Sequence, residues 1–345
     1  MTEMFPLLKL PHLVVKNVIR TMDLGAIILF ANSCSEARSI LKMFIPRNSF
    51  EIGFEMKTEA TIVVKYGDQQ QESAIPFNRK YLYQYMFYYD EEMMSEMMKS
   101  VDRVCQKLDS DLKYVAIDGS LGQDRIPQIL YWIYRRQVWI ESLEVIKVQK
   151  TACAGYLLKY SVLVKKDLDL EISEMPGNDP LPKFNMDYLW LKNPKGTSLK
   201  NDVPTFNCIH ICLQLDSIQS IHLNEYLKKW IEGCNPRMEY FKLSSCVVNL
   251  GKIVDGIEWE QQSGSYVRTY KHPKLDEPFT STGGTNIKRK DGTVATFKLR
   301  KSIFEMVVSS TTATIPQNPI SRSSTGQTSF STPEFSTDAL VPRLL

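Results

Sequence analysis

Leu112-Lys-Tyr-Val-Ala-Ile-Asp-Gly-Ser120 and Leu143-Glu-Val-Ile-Lys-Val-Gln-Lys-Thr151 share one pattern: apolar-x-x-apolar-x-apolar-x-x-small. Apolar residues two apart mark a strand with one buried face. A third copy is Met238, Phe241, Leu243, Cys246. A weaker one, Phe206, Ile209, Ile211, Gln214, lacks the small last residue. Leu112 and Leu143 stand 31 residues apart, Phe206 and Met238 stand 32, and Leu143 to Phe206 is 63, two periods. A helix of about fifteen residues, a strand of about six and two loops fill such a period.

Helical spacing precedes these strands. It runs through Met94, Met97, Met98, Val101, Val104, Cys105 and Leu108, through Ile126, Ile129, Leu130, Ile133 and Ile140, and through Leu223, Tyr226, Leu227, Trp230 and Ile231. Gly233 sits where a left-handed helix stop is expected. The whole resembles a leucine-rich-repeat-like α/β solenoid with long, irregular units. The asparagine ladder of such repeats is absent. The 152–205 stretch breaks the pattern with Pro176-Gly177, Pro180, Pro182 and Pro194. An ordinary α/β domain with accidental periodicity is the alternative.

Upstream, residues 46–90 read as strands and loops. Thr61–Tyr66 is a strand ended by Gly67-Asp68, and aromatic residues crowd Tyr81–Tyr89. Further upstream the pattern is helical. Pro11 fits the first turn of a helix, and Leu10, Val14, Val15, Val18, Ile19 and Met22 give that helix one apolar face. Asp23 is placed to cap a second helix from Leu24 to Asn32, and Ser33-Cys34-Ser35 starts a third. Three short helices cannot bury this apolar surface among themselves. Either the rest of the chain or a partner covers it.

The 345 residues, 43% of them apolar, are enough for a large core. A net charge of +3 argues against nucleic acid as the main partner. No apolar run approaches the length of a membrane span, and no signal-peptide pattern opens the chain. Seven thinly spread cysteines then read as reduced thiols in an intracellular protein, cytoplasmic or nuclear. From 309 to 337 Ser, Thr, Pro and Gln dominate and aromatics fall away, so 309–345 reads as a disordered tail. Ser331-Thr332-Pro333 within it has the form of a proline-directed phosphorylation site.

The first 45 residues resemble an F-box. The matching positions are Leu10-Pro11, the face Val14, Val15, Val18 and Ile19, then Met22-Asp23-Leu24 and Ile27. Ser33-Cys34-Ser35 and Arg38-Ser39-Ile40 stand where nematode F-box proteins carry a serine-rich, basic third segment. Gly25 inside the second helix and Glu36 in place of a basic residue depart from the pattern. A second resemblance covers residues 205–300. Leu223-Asn-Glu-Tyr-Leu-Lys-Lys-Trp-Ile-Glu-Gly-Cys-Asn-Pro-Arg-Met-Glu-Tyr-Phe241 is similar to the core of the F-box-associated domain, type 2, of nematode F-box proteins. Asn286–Phe297 is similar to that family's final hairpin, with Asp291-Gly292 as its turn, and Phe304–Val308 to its closing strand.

The resemblance implies an α/β protein of three parts. Residues 1–45 are a three-helix F-box, 46–308 a repeat-like α/β domain closed by a β-hairpin, and 309–345 a tail. It also implies a substrate receptor of an SCF ubiquitin ligase. Leu10, Pro11, Val14, Val18, Met22, Leu24 and Ile27 would meet the Skp-family adaptor, and through it a cullin. The target protein and its contact residues are unknown. A repeat-type interaction scaffold outside any ligase is the alternative function.

No catalytic constellation stands out, and no cofactor, metal or membrane is expected. Cys208-x-His210-x-Cys212 would align three ligand types on one strand face, but structural zinc requires four ligands. Gly283-Gly284 precedes a basic strand rather than a helix, so a phosphate cradle is not expected. Asp118-Gly-Ser120 lies at a strand end, with Ser120 as the small residue of the repeat. Asp167, Asp169 and Glu171 read as a solvated edge strand that resists pairing. Lys288-Arg289-Lys290 and the cations Lys298, Arg300 and Lys301 read as a solvated basic hairpin.

Overall fold

The computed structural model describes residues 10–57, 59–67, 71–76, 91–173, 181–192, 202–270 and 279–309. The aromatic run Tyr81–Tyr89, Pro176-Gly177, Pro180, Pro194, the tail from 310 and Ser331-Thr332-Pro333 lie outside them.

Three helices open the described chain: α1 (His12–Thr21), α2 (Leu24–Ser33) and α3 (Ser35–Phe44). Local chemistry sets each start. The Pro11 carbonyl accepts from the Val14 and Val15 amides. The Asp23 carboxylate accepts from Ala26 N–H at 2.7 Å, and the Cys34 sulfur accepts from Ala37 N–H at 3.4 Å. The His12 and Phe44 rings, 5.0 Å apart, tie α1 to α3.

Among the described residues thirteen strands then form one sheet. They are β1 (Phe50–Met56), β2 (Ala60–Tyr66), β3 (Gln71–Pro76), β4 (Leu112–Asp118), β5 (Ile140–Val148), β6 (Val164–Ile172), β7 (Tyr188–Lys192), β8 (His210–Gln219), β9 (Tyr240–Val247), β10 (Trp259–Tyr270), β11 (Phe279–Lys288), β12 (Val294–Arg300) and β13 (Ile303–Ser309). Their order is β10-β11-β12-β13-β9-β8-β7-β6-β5-β4-β1-β2-β3. Strands β1 and β4 to β9 are parallel and follow chain order, so each unit pairs with the unit before it. Antiparallel strands flank this run at both ends.

Helices α4 (Glu91–Leu108), α5 (Ile126–Arg136), α6 (Thr151–Tyr160) and α7 (Ser220–Ile231) supply the crossovers into β4, β5, β6 and β9. One row across the sheet runs Phe54, Val115, Leu143, Leu168, Leu189, Ile211, Phe241, Met306. Every member is buried, in one core with Met97, Ile129, Leu157 and Leu227 of the helices. The neighbouring row runs Tyr114, Ser142, Asp167, Tyr188, His210, Tyr240 on the opposite face. The sheet therefore has a helix-covered face and a polar, aromatic one.

The same core includes Val15, Ile19, Leu24, Ile27, Ala31, Leu41 and Ile45. The three N-terminal helices are thus fused to the sheet through α4 and the β2–β3 hairpin. Leu24 N–H donates to the Gln71 side chain at 2.9 Å, and the Lys107 ammonium to Asn32 Oδ1 at 2.5 Å.

The structure corrects four expectations of organisation. The 63 residues between Leu143 and Phe206 hold two strands, β6 and β7, instead of one missing unit. Leu143 pairs with Leu168 and Leu168 with Leu189, steps of 25 and 21 residues, so unit length is not constant. Ile140 opens β5 rather than continuing a helix, because α5 ends at Arg136 with an extended Gln137. Strand β6 is central, between β5 and β7. Asp167, Asp169 and Glu171 alternate because one sheet face is polar, and Lys192 reaches Asp169 at 3.7 Å.

Candidate functional site

The structure sorts the seven expected adaptor-contact residues into two groups. Leu10, Pro11 and Val14 are exposed on or just before α1, and Val18 and Met22 are half-buried. Leu24 and Ile27 are closed into the chain's own core at 3% and 0% exposure, so no partner reaches them. Helical spacing identifies an apolar face but not what covers it, and here α4 and the β2–β3 hairpin do. In their place the surface carries Leu13, at 68% exposure, Leu29, at 73%, and Met43. These three were missed because they lie off the stripes Val15–Ile19, Ile27–Ala31 and Ala37–Leu41. An apolar residue out of phase with a buried stripe is the signal that would have found them.

A second surface is the polar face of the sheet. Tyr188, His210 and Tyr240 stand side by side in register on β7, β8 and β9. The Tyr270 ring from β10 stacks on Tyr240 at 5.4 Å. Lys192 lies 4.1 Å from the centre of the Trp190 ring, and the Tyr240 hydroxyl donates to Glu305 at 3.2 Å. Glu141 accepts from Lys113 at 2.8 Å and from Lys166 at 2.6 Å, linking three strands. Partial burial works against its charge, but the two lysines outweigh that and hold the carboxyl below the ordinary range. A depressed folded-state pKa adds stability above the unfolded value, and this is lost as pH falls through the folded one. Glu141→Gln is therefore expected to cost about 0.5–1 kcal/mol at neutral pH. The gap to the parent should close in acid, and urea melts at neutral and acid pH check it.

The positions with chemical potential do not converge. Cys208 packs in the main core, while Cys212 joins Tyr188 and Tyr240 on the other face. Burial pushes both thiols up to about 11. Among the described residues no three His, Cys, Asp or Glu side chains form a metal-ligand cluster, and no helix is long and apolar enough to cross a membrane. Ser120 is exposed instead of filling a small-residue slot. Its hydroxyl donates to Asp118 at 2.6 Å, and Lys147 donates to the same carboxylate at 2.7 Å. The close approach falls at Gly119, where a Cβ would sit 2.9 Å from the Ile146 carbonyl oxygen.

The basic hairpin is a structural dock as well as a charged surface. Its turn is closed by Gly292 (φ +93°), with Arg289 N–H donating to the Thr293 carbonyl at 2.8 Å. Arg289 is buried, its guanidinium 5.5 Å from the Trp230 ring centre and its Nε 2.8 Å from Asp291. Lys290 N–H donates to the Ile231 carbonyl at 3.0 Å, at the C-terminal end of α7, and its ammonium pairs with Glu232. Cations at a helix C-terminus complement its dipole. After α7, Gly233 takes φ +112° and Asn235 φ +50°. The Asn235 amide donates to the Phe206 carbonyl at 2.6 Å, so this turn anchors the entry to β8.

A family model described as F-box associated matches residues 181–243. The matched segment spans β7, β8, α7 and the start of β9. No curated protein and no solved structure matches the chain. The chain thus carries an F-box-associated segment, held in the same compact unit as an N-terminal three-helix unit.

Proposed function

We propose that this chain is the non-catalytic substrate-recognition subunit of an SCF-type ubiquitin ligase, of the kind found among nematode F-box proteins. The N-terminal helices dock on a Skp-family adaptor, which connects them to a cullin. The leucine-rich-repeat-like α/β domain holds a target protein, and ubiquitin transfer belongs to other subunits. One observation carries the reading: an F-box-associated segment shares a compact unit with three short helices that leave Leu10, Leu13, Val14 and Leu29 exposed. Exposed apolar side chains in such density suit a partner surface better than solvent.

Leu10→Ala with Pro11→Ala is expected to abolish adaptor binding while the melting temperature stays within a few degrees. Both side chains are exposed, so the fold does not depend on them. Pull-down with purified adaptor and cullin, beside a thermal melt, reads both. Loss of the fold in the double variant, or undiminished binding, contradicts the proposal. A scaffold outside any ligase would leave adaptor and cullin in the flow-through.

A further inference from the structure

Helices α5 and α6 lie side by side on the helix-covered side of the sheet. They differ from the other crossover helices in charge. Neither contains an Asp or Glu, whereas α4 carries Glu91, Glu92, Glu96 and Asp102 and α7 carries Glu225. Their outward positions hold Tyr131, Tyr134 and Tyr156, about half exposed. The Tyr134 ring lies 5.8 Å from that of Tyr160. The turns after the two helices add Val138 and Val162, at 84% and 73% exposure.

Exposed cations stand on the same segments, Arg135 on α5, Lys159 on α6 and Lys165 at the start of β6. Arg135, Lys159 and Lys165 are exposed and make no ion pair among the described residues. Lys159 sits over the Tyr160 ring at 5.7 Å and Lys165 over Trp139 at 4.5 Å. The neighbouring carboxylate of α4, Asp102, is already engaged by Arg136 at 3.2 Å. Tyrosines supply large contact area at low entropic cost. Uncompensated cations beside them select a partner of opposite charge.

We propose that the outer face of α5 and α6 is the docking surface for an acidic segment of a target protein. Apolar side chains of that segment seat among Tyr131, Tyr134 and Tyr156, and its carboxylates meet Arg135, Lys159 and Lys165. Nucleic acid fits less well, because a phosphate backbone calls for a continuous cation track. Here three cations border an apolar patch. The inference rests on the target-holding half of the function proposed above. Its test contains no adaptor, so failure here leaves adaptor docking standing.

The test is fluorescence anisotropy of the full chain with labelled peptide pools of one length. All pools share the same randomised leucine and tyrosine positions, and the remaining positions are glutamate, glutamine or lysine. The glutamate pool is expected to bind roughly tenfold more tightly than the glutamine pool. Tyr134→Ala with Tyr156→Ala should remove that binding. Lys159→Glu with Lys165→Glu should transfer the preference to the lysine pool. Melting temperatures should not change, since all four side chains lie at the surface. Equal affinity for the glutamate and glutamine pools overturns the proposal, as does binding that survives both double variants. Preference for an oligouridylate would assign the face to nucleic acid instead. Tyr134-dependent dimerisation without peptide binding would assign it to a second copy of this chain.

Discussion

A chain ending at Cys246 is expected to be insoluble, or to melt without a cooperative transition. The cut removes β10 to β13 and leaves β9 as an open edge. Strand β13 pairs with β9 from Ile303↔Ser244 to Val307↔Tyr240, and it delivers Phe304 and Met306, both fully buried, into the main core. The Phe304 ring lies 5.9 Å from that of Phe241. Without β13, Phe241 and Leu243 lose their cover and β9 presents unpaired backbone groups, a template for aggregation. The hairpin tip that closes α7 is lost as well. A chain ending at Ser309 keeps every described strand and is expected to melt with the full chain. Soluble yield and thermal melting of the two truncations, side by side, make the comparison. If the shorter chain is as soluble and cooperative as the full one, residues 247–309 are an appendage and not part of the fold.

Trp230→Ala is the largest point effect expected, about 3–5 kcal/mol. The indole is fully buried on α7 in the main core, with the buried Arg289 guanidinium over its ring. The alanine variant opens a cavity and removes the aromatic partner of that cation. Denaturant midpoints measure the effect. A change near zero would mean that the ring is not held as described. Arg289→Ala tests the same contact from the other side and is expected to leave the hairpin attached to α7 by the Lys290 backbone hydrogen bond and the Lys290–Glu232 ion pair.

The elements that were legible in the sequence carry local signals. Pro11, Asp23 and Cys34 mark three helix starts, Gly233 a helix stop and Asp291-Gly292 a turn, and each acts through its own backbone neighbours. The core residues of α4, α5 and α7 were legible because 3.6-residue spacing reports a buried stripe directly. What escaped depends on tertiary context. Strand β7 has only five residues, Tyr188–Lys192, too few for alternation to register. Asp167 and Asp169 suggested an edge, since charge on alternate residues cannot distinguish an edge strand from a central one with a polar face. Sequence alone places Leu24 and Ile27 at a partner surface, because periodicity does not say which neighbour covers an apolar stripe. Arg289 reads as solvated from sequence because the tryptophan beneath it is 59 positions away in the chain. The α5–α6 surface did have a sequence signal in its two helices without acidic residues, but only exposure separates its tyrosines from core residues.

If α1 to α3 dock on an adaptor as proposed, their exposed leucines make the contact while their buried stripes belong to the fold. The most direct measurement mixes the full chain with a purified Skp-family adaptor and reads mass by size exclusion with light scattering. The parent chain, Leu13→Glu with Leu29→Glu, and a Tyr134→Ala control are compared. A one-to-one complex is expected for the parent and the control. None is expected for the double-glutamate variant, whose melting temperature should match the parent's because both leucines are exposed. No complex with the parent chain, or an undiminished complex with the double-glutamate variant, would contradict the proposal.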